Sequence, residues 1–238
     1  MRGLSYGIFP SFMACVIMKL TKRGNHNMFV FWGDGSAEAK DLVDAILVRS
    51  TANFNWTFIF ILSVVFYVYW TEVKNKDYKA IVAGFSLYGV HWLYEIGNAI
   101  IAHFAGYPLW AVSNASTTFI LLIGVCWELS MMFSLAGIIS YKMLPKKPDN
   151  KRKFLSALAM AALFALVESF LAGTENHSFI WVYKWWGVLP VFVTTYIPFF
   201  LASNFVPYWK QKEQITFLSV VWGAVAVLLI TLIPLGII

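Results

Sequence analysis

Three glutamates interrupt long apolar stretches of the chain, and they are the first candidates for chemistry. Glu95, Glu128 and Glu168 are each the only acidic residue of their stretch. An ionised side chain at the centre of a bilayer costs roughly 2.5–3.5 kcal/mol even on the lowest scales. Three such residues therefore indicate either a function or buried partners that compensate this cost.

The spacing around Glu95 predicts a polar stripe along one helix. His91 precedes Glu95 by four residues and Asn98 follows it by three, so the three side chains share one helical face. With a rise of ~1.5 Å per residue, Glu95 and Glu168 are predicted to lie roughly 23 and 21 Å from one membrane surface, and Glu128 roughly 18 Å from the other. We therefore expect the three carboxyl groups to converge within about 10 Å, close enough to influence one another's protonation.

The residue types in this cluster predict acid–base chemistry. Glu95 and Glu128 are the expected acid and base, because a carboxyl group that gains and loses a proton can serve in either role. His91 is expected to adjust Glu95, and Glu168 is a further catalytic candidate. Imidazole and carboxylates also suit Fe, Mn or Zn, so metal binding stays open and no cofactor is assigned. A purely structural role stays open too, because buried polar pairs can join helices for about 0.6–2 kcal/mol each.

Further residues are expected to surround the substrate or shape its pocket. The predicted substrate-binding residues are Asn98, His103, His177, Trp127 and Trp186. The two histidines of this set are predicted near the outer surface, above the glutamates. Pro190 and Pro198 interrupt the backbone hydrogen bonds of one apolar stretch, and such kinks can open a cavity.

The composition predicts the environment in which these residues work. Apolar residues make up 60% of the 238 residues and charged residues only 13%, and the mean hydropathy is +0.69. A soluble domain has about 25% charged residues, so the sequence predicts an integral membrane protein. Cys15 and Cys126 have no partner at the spacing of a metal or disulfide motif. The net charge of +6 comes from short segments between apolar stretches, so the expected partners are the bilayer and an apolar substrate, and not nucleic acid.

The apolar stretches predict an all-α fold, a polytopic bundle of transmembrane helices. Each stretch is close to the ~20 residues that a helix needs to cross a bilayer. The six predicted spans are 54–71, 80–105, 116–141, 154–173, 179–203 and 215–238. Because these stretches are apolar throughout and do not alternate with polar residues, no strands are expected.

Charges in the connections predict the orientation. The connections 72–79, 142–153 and 204–214 carry lysine or arginine, whereas 106–115 and 174–178 carry none. The positive-inside rule places the basic connections in the cytoplasm. In a prokaryote the expected location is the cell membrane.

Residues 1–53 are expected to form a segment distinct from the single transmembrane bundle of residues 54–238. The apolar run 4–18 is short and interrupted, so three alternatives remain: a signal-like segment, a half-buried anchor, or an artefact of the chosen start, since Met28 would be a workable initiator. Residues 36–49 predict an amphipathic interfacial helix with Ser36 as its cap and an apolar face that includes Val43 and Leu47.

These features favour a membrane-embedded enzyme that acts on a lipid or another apolar substrate by acid–base or metal-assisted chemistry. A proton- or cation-coupled transporter is the first alternative, because protonatable groups within a bilayer mark ion pathways. An accessory subunit of a membrane complex is the second. The sequence does not predict an oligomeric state.

Overall fold

The structure is a computed structural model that describes residues 29–52, 54, 56–114, 117, 119–174 and 178–238. Within these residues the chain is mostly helical. The helical segments are α1 (Ala37–Asp44), α2 (Thr57–Lys74), α3 (Tyr78–Ala105), α4 (Trp127–Lys142), α5 (Asn150–Ala172), α6 (Val188–Tyr208) and α7 (Gln211–Leu232). Among them, α2, α5, α6 and α7 are long and apolar enough to cross a membrane.

The structure supports four of the six predicted spans and does not confirm the other two. Helix α3 matches the predicted span 80–105, but its buried side carries several polar residues. Helix α4 begins at Trp127 and has 16 residues, which at 1.5 Å per residue gives about 24 Å, less than the ~30 Å of hydrocarbon in a bilayer. The predicted start of the span 179–203 is also wrong, because α6 begins only at Val188.

The expectation that the chain has no strands is wrong. Short strands lie between the helices: β1 (Trp110–Val112), β2 (Ile120–Leu122), β3 (Val125–Cys126) and β4 (Phe179–Trp181). Strands β2 and β3 form an antiparallel hairpin whose turn contains Gly124. A short apolar run looks the same in a buried strand and in a helix, so hydropathy did not separate the two.

Strands β1 and β4 pair across the end of the bundle where α3 and α5 finish. Helix α3 ends at Gly106, whose φ of 86° is in the left-handed region that glycine adopts without strain. The chain then enters β1, which runs antiparallel to β4 with Trp110 opposite Trp181. All residues of these two strands are buried.

Helix α1 packs on this strand pair. The Ser36 hydroxyl accepts a hydrogen bond from the Ala39 amide, so the predicted cap is confirmed. Val43 is buried against the apolar residues of β1 and β4. The helix is shorter than the predicted 36–49, and Leu47 is 53% exposed, because the helix ends at Asp44 and the chain turns to pair beside β2. The apolar run 4–18 lies outside the described residues.

Helix α3 is central in the bundle and packs against α4, α6 and α7. Glycines allow its close contact with α4. A Cβ atom on Gly137 would lie 2.6 Å from the Ala83 carbonyl oxygen, and one on Gly84 would lie 2.9 Å from that of Ser134. Small residues of this kind let two helix backbones touch. The contact fixes α3, and with it the polar residues on its buried face.

Candidate functional site

Helix α3 carries the predicted stripe of His91, Glu95 and Asn98 on its buried side. The three residues are 0%, 4% and 1% exposed. The Nε2 atom of His91 lies 3.4 Å from Oε1 of Glu95, but the two groups are not aligned as a hydrogen bond, and neither ring nitrogen has a hydrogen-bond partner among the described residues. His91 is therefore a buried imidazole next to a carboxyl group, and neither of its ring nitrogens forms a hydrogen bond with the described residues.

Trp110 is the hydrogen-bond donor to Glu95. Its indole Nε1 lies 3.2 and 3.1 Å from the two carboxyl oxygens. Asn98 holds this tryptophan in place, since its Oδ1 accepts from the Leu109 amide and its Nδ2 donates to the Trp110 carbonyl, both at 2.8 Å. Asn98 therefore positions the donor and is not free to bind a substrate through these atoms.

Gly124, in the turn between β2 and β3, covers this group closely. A Cβ atom at this position would lie 2.5 Å from Glu95 Oε2, 2.5 Å from Asn98 Nδ2 and 2.6 Å from Trp110 Nε1. Any side chain here would displace the polar atoms. Gly124 was not recognised as a site residue from the sequence, although a glycine inside an apolar run can indicate a close backbone approach.

Glu168 on α5 has two donors of its own. The Trp181 indole donates to Oε1 at 2.7 Å, and the Tyr196 hydroxyl donates to Oε2. Glu168 is 6% exposed. Both donors lie on later elements, β4 and α6, and neither was predicted, because their proximity to Glu168 arises only when the chain folds back on α5.

Glu95 and Glu168 line the same small cavity, which has a volume of about 10 Å³. This is about the space that one water molecule needs. Thr195 also lines the cavity, and its hydroxyl has no hydrogen-bond partner among the described residues. The other lining residues are mostly apolar or aromatic. Two carboxyl groups and one unpaired hydroxyl thus line a space of the size of one water molecule.

A π-helical segment of α6 supplies one wall of this cavity. Residues Val191–Tyr196 form the segment, and Val191, Thr195 and Tyr196 all line the cavity. Pro198 follows two residues after the end of the segment, and its missing N–H removes one regular helical hydrogen bond. π-Helical turns occur frequently at functional sites. The predicted kink therefore takes the form of a widened turn directed at the two glutamates.

Glu128 lies away from this cavity. It is in the first turn of α4, where it accepts a hydrogen bond from Thr117 at 2.7 Å, and it is not among the residues that line the cavity. A carboxylate is also stabilised at a helix N-terminus by the helix dipole. The predicted pairing of Glu95 with Glu128 rested on a helix that began at residue 116, whereas the helix begins at Trp127 and a hairpin precedes it.

The remaining predicted residues are distributed around the site. Trp186 stacks on Trp110 with ring centroids 5.5 Å apart. Trp127 lines a separate apolar groove of about 340 Å³ between α2, α3 and α4. His103 is exposed near the end of α3 beside Phe104, so it is not part of the buried group. His177 lies outside the described residues.

The groups that face the two carboxyl groups are N–H and O–H donors of the protein. Within the described part of the chain, no three His, Cys, Asp or Glu side chains come together at a position that could hold a metal ion. The oxygens of Glu95 and Glu168 instead face N–H and O–H groups. Such donors stabilise a carboxylate without a metal.

Comparisons with known proteins agree with the membrane character of these helices. Residues 37–234 match a family described as an uncharacterized membrane protein family. A protein of Archaeoglobus fulgidus, described only as an uncharacterized protein, is 34% identical over 170 residues, which are 67% of this chain and 79% of that protein. No solved structure matches the chain. The family match extends from α1 to α7, so this multi-pass membrane protein belongs to that uncharacterized membrane protein family.

Proposed function

We propose that this protein is a membrane-embedded acid–base catalyst in which Glu95 and Glu168 exchange a proton across their shared cavity. The observation that carries the proposal is that two buried carboxyl groups, each with its own donors, line one small space for about one water molecule. Like charges repel strongly in a low-dielectric interior, so the two groups are difficult to ionise together. One proton shared by the pair is the state that this arrangement favours.

The substrate that we propose is a lipid-type molecule with a long apolar chain, bound in the groove of about 340 Å³. Its lining is almost entirely apolar and aromatic, and α2, which forms one wall, is among the helices able to cross a membrane. A molecule that binds in this groove would enter it from the bilayer. Once bound, an apolar molecule would leave little space for water in the groove.

His91 connects the groove with the carboxyl groups. Tyr88 lines the groove, and its ring is nearly parallel to that of His91, with an interplanar angle of 18° and centroids 6.4 Å apart. Tyr88, His91 and Glu95 follow one another along one side of α3. The unused nitrogens of His91 allow it to carry a proton between substrate and Glu95.

The proposed reaction is a proton relocation within the substrate. One group removes a proton from the substrate and the pair returns a proton to it, so the protein regains its starting state. No oxidant, reductant or second substrate is needed. This chemistry requires buried groups that can gain and lose a proton, and Glu95 and Glu168 are buried carboxyl groups.

Solvent deuterium provides the test of the proposed reaction. Membranes that contain the protein are incubated in D₂O, and their lipids are compared by mass spectrometry with those of membranes that contain Glu95→Gln or Glu168→Gln. We expect a lipid species that gains deuterium with the parent protein and not with either variant. Glu128→Gln is the matched control and should retain the exchange. Absence of protein-dependent exchange with the parent protein would overturn the proposed reaction.

Proton-coupled transport is the second candidate, and the size of the cavity favours it. A space of about 10 Å³ admits water and protons but no apolar molecule. In vesicles with a pH-sensitive dye inside, a proton-coupled carrier would change the internal pH when a proton gradient is imposed across the membrane. Glu95→Gln would abolish this change. Dye signals equal to those of empty vesicles would exclude this candidate.

The orientation is also a proposal. Contacts of Lys142 with Asp77, and of Lys79 and Lys153 with Tyr208, gather the three basic connections at one end of the molecule. We place this basic end in the cytoplasm, according to the positive-inside rule. The strand pair β1–β4 and the two glutamates then lie toward the outer side.

A further inference from the structure

Two lysine side chains at the basic end converge on one aromatic ring. The Nζ atom of Lys79 lies 5.1 Å from the centroid of the Tyr208 ring, and that of Lys153 lies 4.4 Å from it. The three residues come from the ends of α3, α5 and α6. Three helices thus bring two positive charges against the same ring, although like charges repel each other.

Among the described residues, no carboxylate forms an ion pair with either of these two lysines. Among the ion pairs of the described residues, those formed by lysine both involve Lys142, which lies 2.7 Å from Glu72 and 2.7 Å from Asp77. Asp77 also accepts a hydrogen bond from the Tyr141 hydroxyl, but its carboxylate is already paired with Lys142. The basic end therefore contains one lysine with two carboxylate partners and two lysines whose contacts within the described part of the chain are with aromatic rings and, for Lys153, with an amide.

The missing carboxylate partner costs most free energy at Lys153, because this side chain is largely buried. It is only 9% exposed, and its Nζ atom has one hydrogen bond, to Asn150 Oδ1 at 3.2 Å. A second ring, that of Phe205, lies 5.4 Å away. An ammonium group offers three donors, and a buried charge is stable only when it is paired and hydrogen-bonded. An anion is the partner that this site lacks.

We propose that Lys79, Lys153 and Tyr208 bind the phosphate group of an anionic phospholipid. The surroundings point to a lipid and not to a free anion, because Phe154 and Leu155 are exposed beside Lys153. Tryptophan and tyrosine are typical of the membrane interface, and Trp209 is 43% exposed next to Tyr208. Basic pockets between transmembrane helices hold lipid headgroups in this way. The inference does not depend on the chemistry of Glu95 and Glu168.

The test measures lipid binding to the purified full-length chain in detergent by native mass spectrometry. The probes are phosphatidylglycerol, phosphatidylcholine and inorganic phosphate. Each lysine near an anionic headgroup contributes about fivefold to binding, so the double variant K79Q/K153Q should bind phosphatidylglycerol about 25-fold more weakly. The control K146Q/K147Q removes the same net charge from exposed positions of the connection 142–153, which also contains Lys153. It should change binding by less than about twofold.

Additional variants keep the test independent of folding. Lys79 is exposed, so K79Q alone should remain folded and lose about fivefold in affinity, while K79R should retain the parent affinity. Equal losses in the two double variants would overturn the proposal, as would equal binding of the two lipids by the parent. Binding of inorganic phosphate as tight as that of phosphatidylglycerol would overturn the assignment to a lipid.

Discussion

Trp110 and Trp181 are direct cross-strand partners in the β1–β4 pair, and each donates its indole N–H to a different buried glutamate. The strand pair therefore joins the two carboxyl groups mechanically. A shift of either strand changes the hydrogen bonding of both Glu95 and Glu168. This relationship gives the short strands a structural role in a mostly helical protein. They fix the relative positions of two hydrogen-bond donors that are far apart in the sequence.

A double-mutant cycle tests this coupling. Trp110→Phe and Trp181→Phe each remove one indole donor, and because the two residues are neighbours, we expect their effects on the free energy of unfolding to be non-additive by about 0.5–3 kcal/mol. Thermal or denaturant unfolding of the purified protein measures it. The control cycle combines Trp110→Phe with a change at Trp56, which is 79% exposed, and its effects should add within about 0.5 kcal/mol. Additivity in both cycles would contradict the coupling.

Replacement of Gly124 tests the close packing over Glu95. Gly124→Ala places a methyl group 2.5 Å from the carboxyl oxygen, and overpacking of this kind typically destabilises a protein by about 1–3 kcal/mol. The matched control is Gly97→Ala on α3, where the added methyl group meets no atom within 4 Å. Alanine is favoured over glycine within a helix by roughly 0.5–1 kcal/mol, so this variant should be slightly more stable than the parent. Opposite shifts of the unfolding temperature are the expected result.

Acid should weaken the ion pair at the basic end. Burial alone would raise the pKa of Asp77, but hydrogen bonds from Lys142 and the Ala80 amide outweigh burial and leave this pKa below its ordinary value. The unfolded chain, with an aspartate pKa of about 3.9, then binds more protons than the folded protein below that pH. The stabilisation is present above this value and is lost as the pH falls through the lower pKa of the folded state.

The variant Asp77→Asn isolates this contribution. Its unfolding temperature should be lower than that of the parent at neutral pH and should fall less on acidification. Asp41, an exposed residue of α1 that forms no ion pair among the described residues, provides the control, and Asp41→Asn should follow the parent curve. Identical pH dependence of Asp77→Asn and the parent would show that the pair contributes nothing to folding.

Cysteine labelling tests the orientation. In a background with Cys15 and Cys126 replaced by serine, Asp149→Cys lies in the basic connection 142–153 and should react with an impermeant thiol reagent only after cell lysis. Tyr107→Cys lies between α3 and β1 at the opposite end and should react in intact cells. The reverse pattern would invert the proposed orientation.

The features that the sequence predicts well depend on local periodicity. The stripe from His91 to Asn98 needs only helical spacing, and the cap at Ser36 needs only the residue type and a following helix. Four of the spans likewise follow from length and hydropathy. In each case the decisive interactions connect residues that are close in sequence.

The features that were missed depend on contacts between distant segments. The sequence predicts Glu168 as a further catalytic candidate but not its two donors, because Trp181 and Tyr196 reach it from two later elements. The hairpin of β2 and β3 was predicted as helix because a continuous apolar run does not reveal its conformation. Gly124 was the one available signal of a turn within that run.

The widened turn of α6 makes the site sensitive to chain length. Hydrogen bonds in a π-helix connect residues five apart, one more than in an α-helix. Loss of a single residue between Pro190 and Pro198 would let the segment rewind as an α-helix, and each residue of an α-helix adds about 100° of rotation. Tyr196 would then turn away from Glu168 while the rest of the bundle kept its packing. In this family, we expect insertions and deletions to be excluded from the segment between the two prolines, even where many substitutions are accepted.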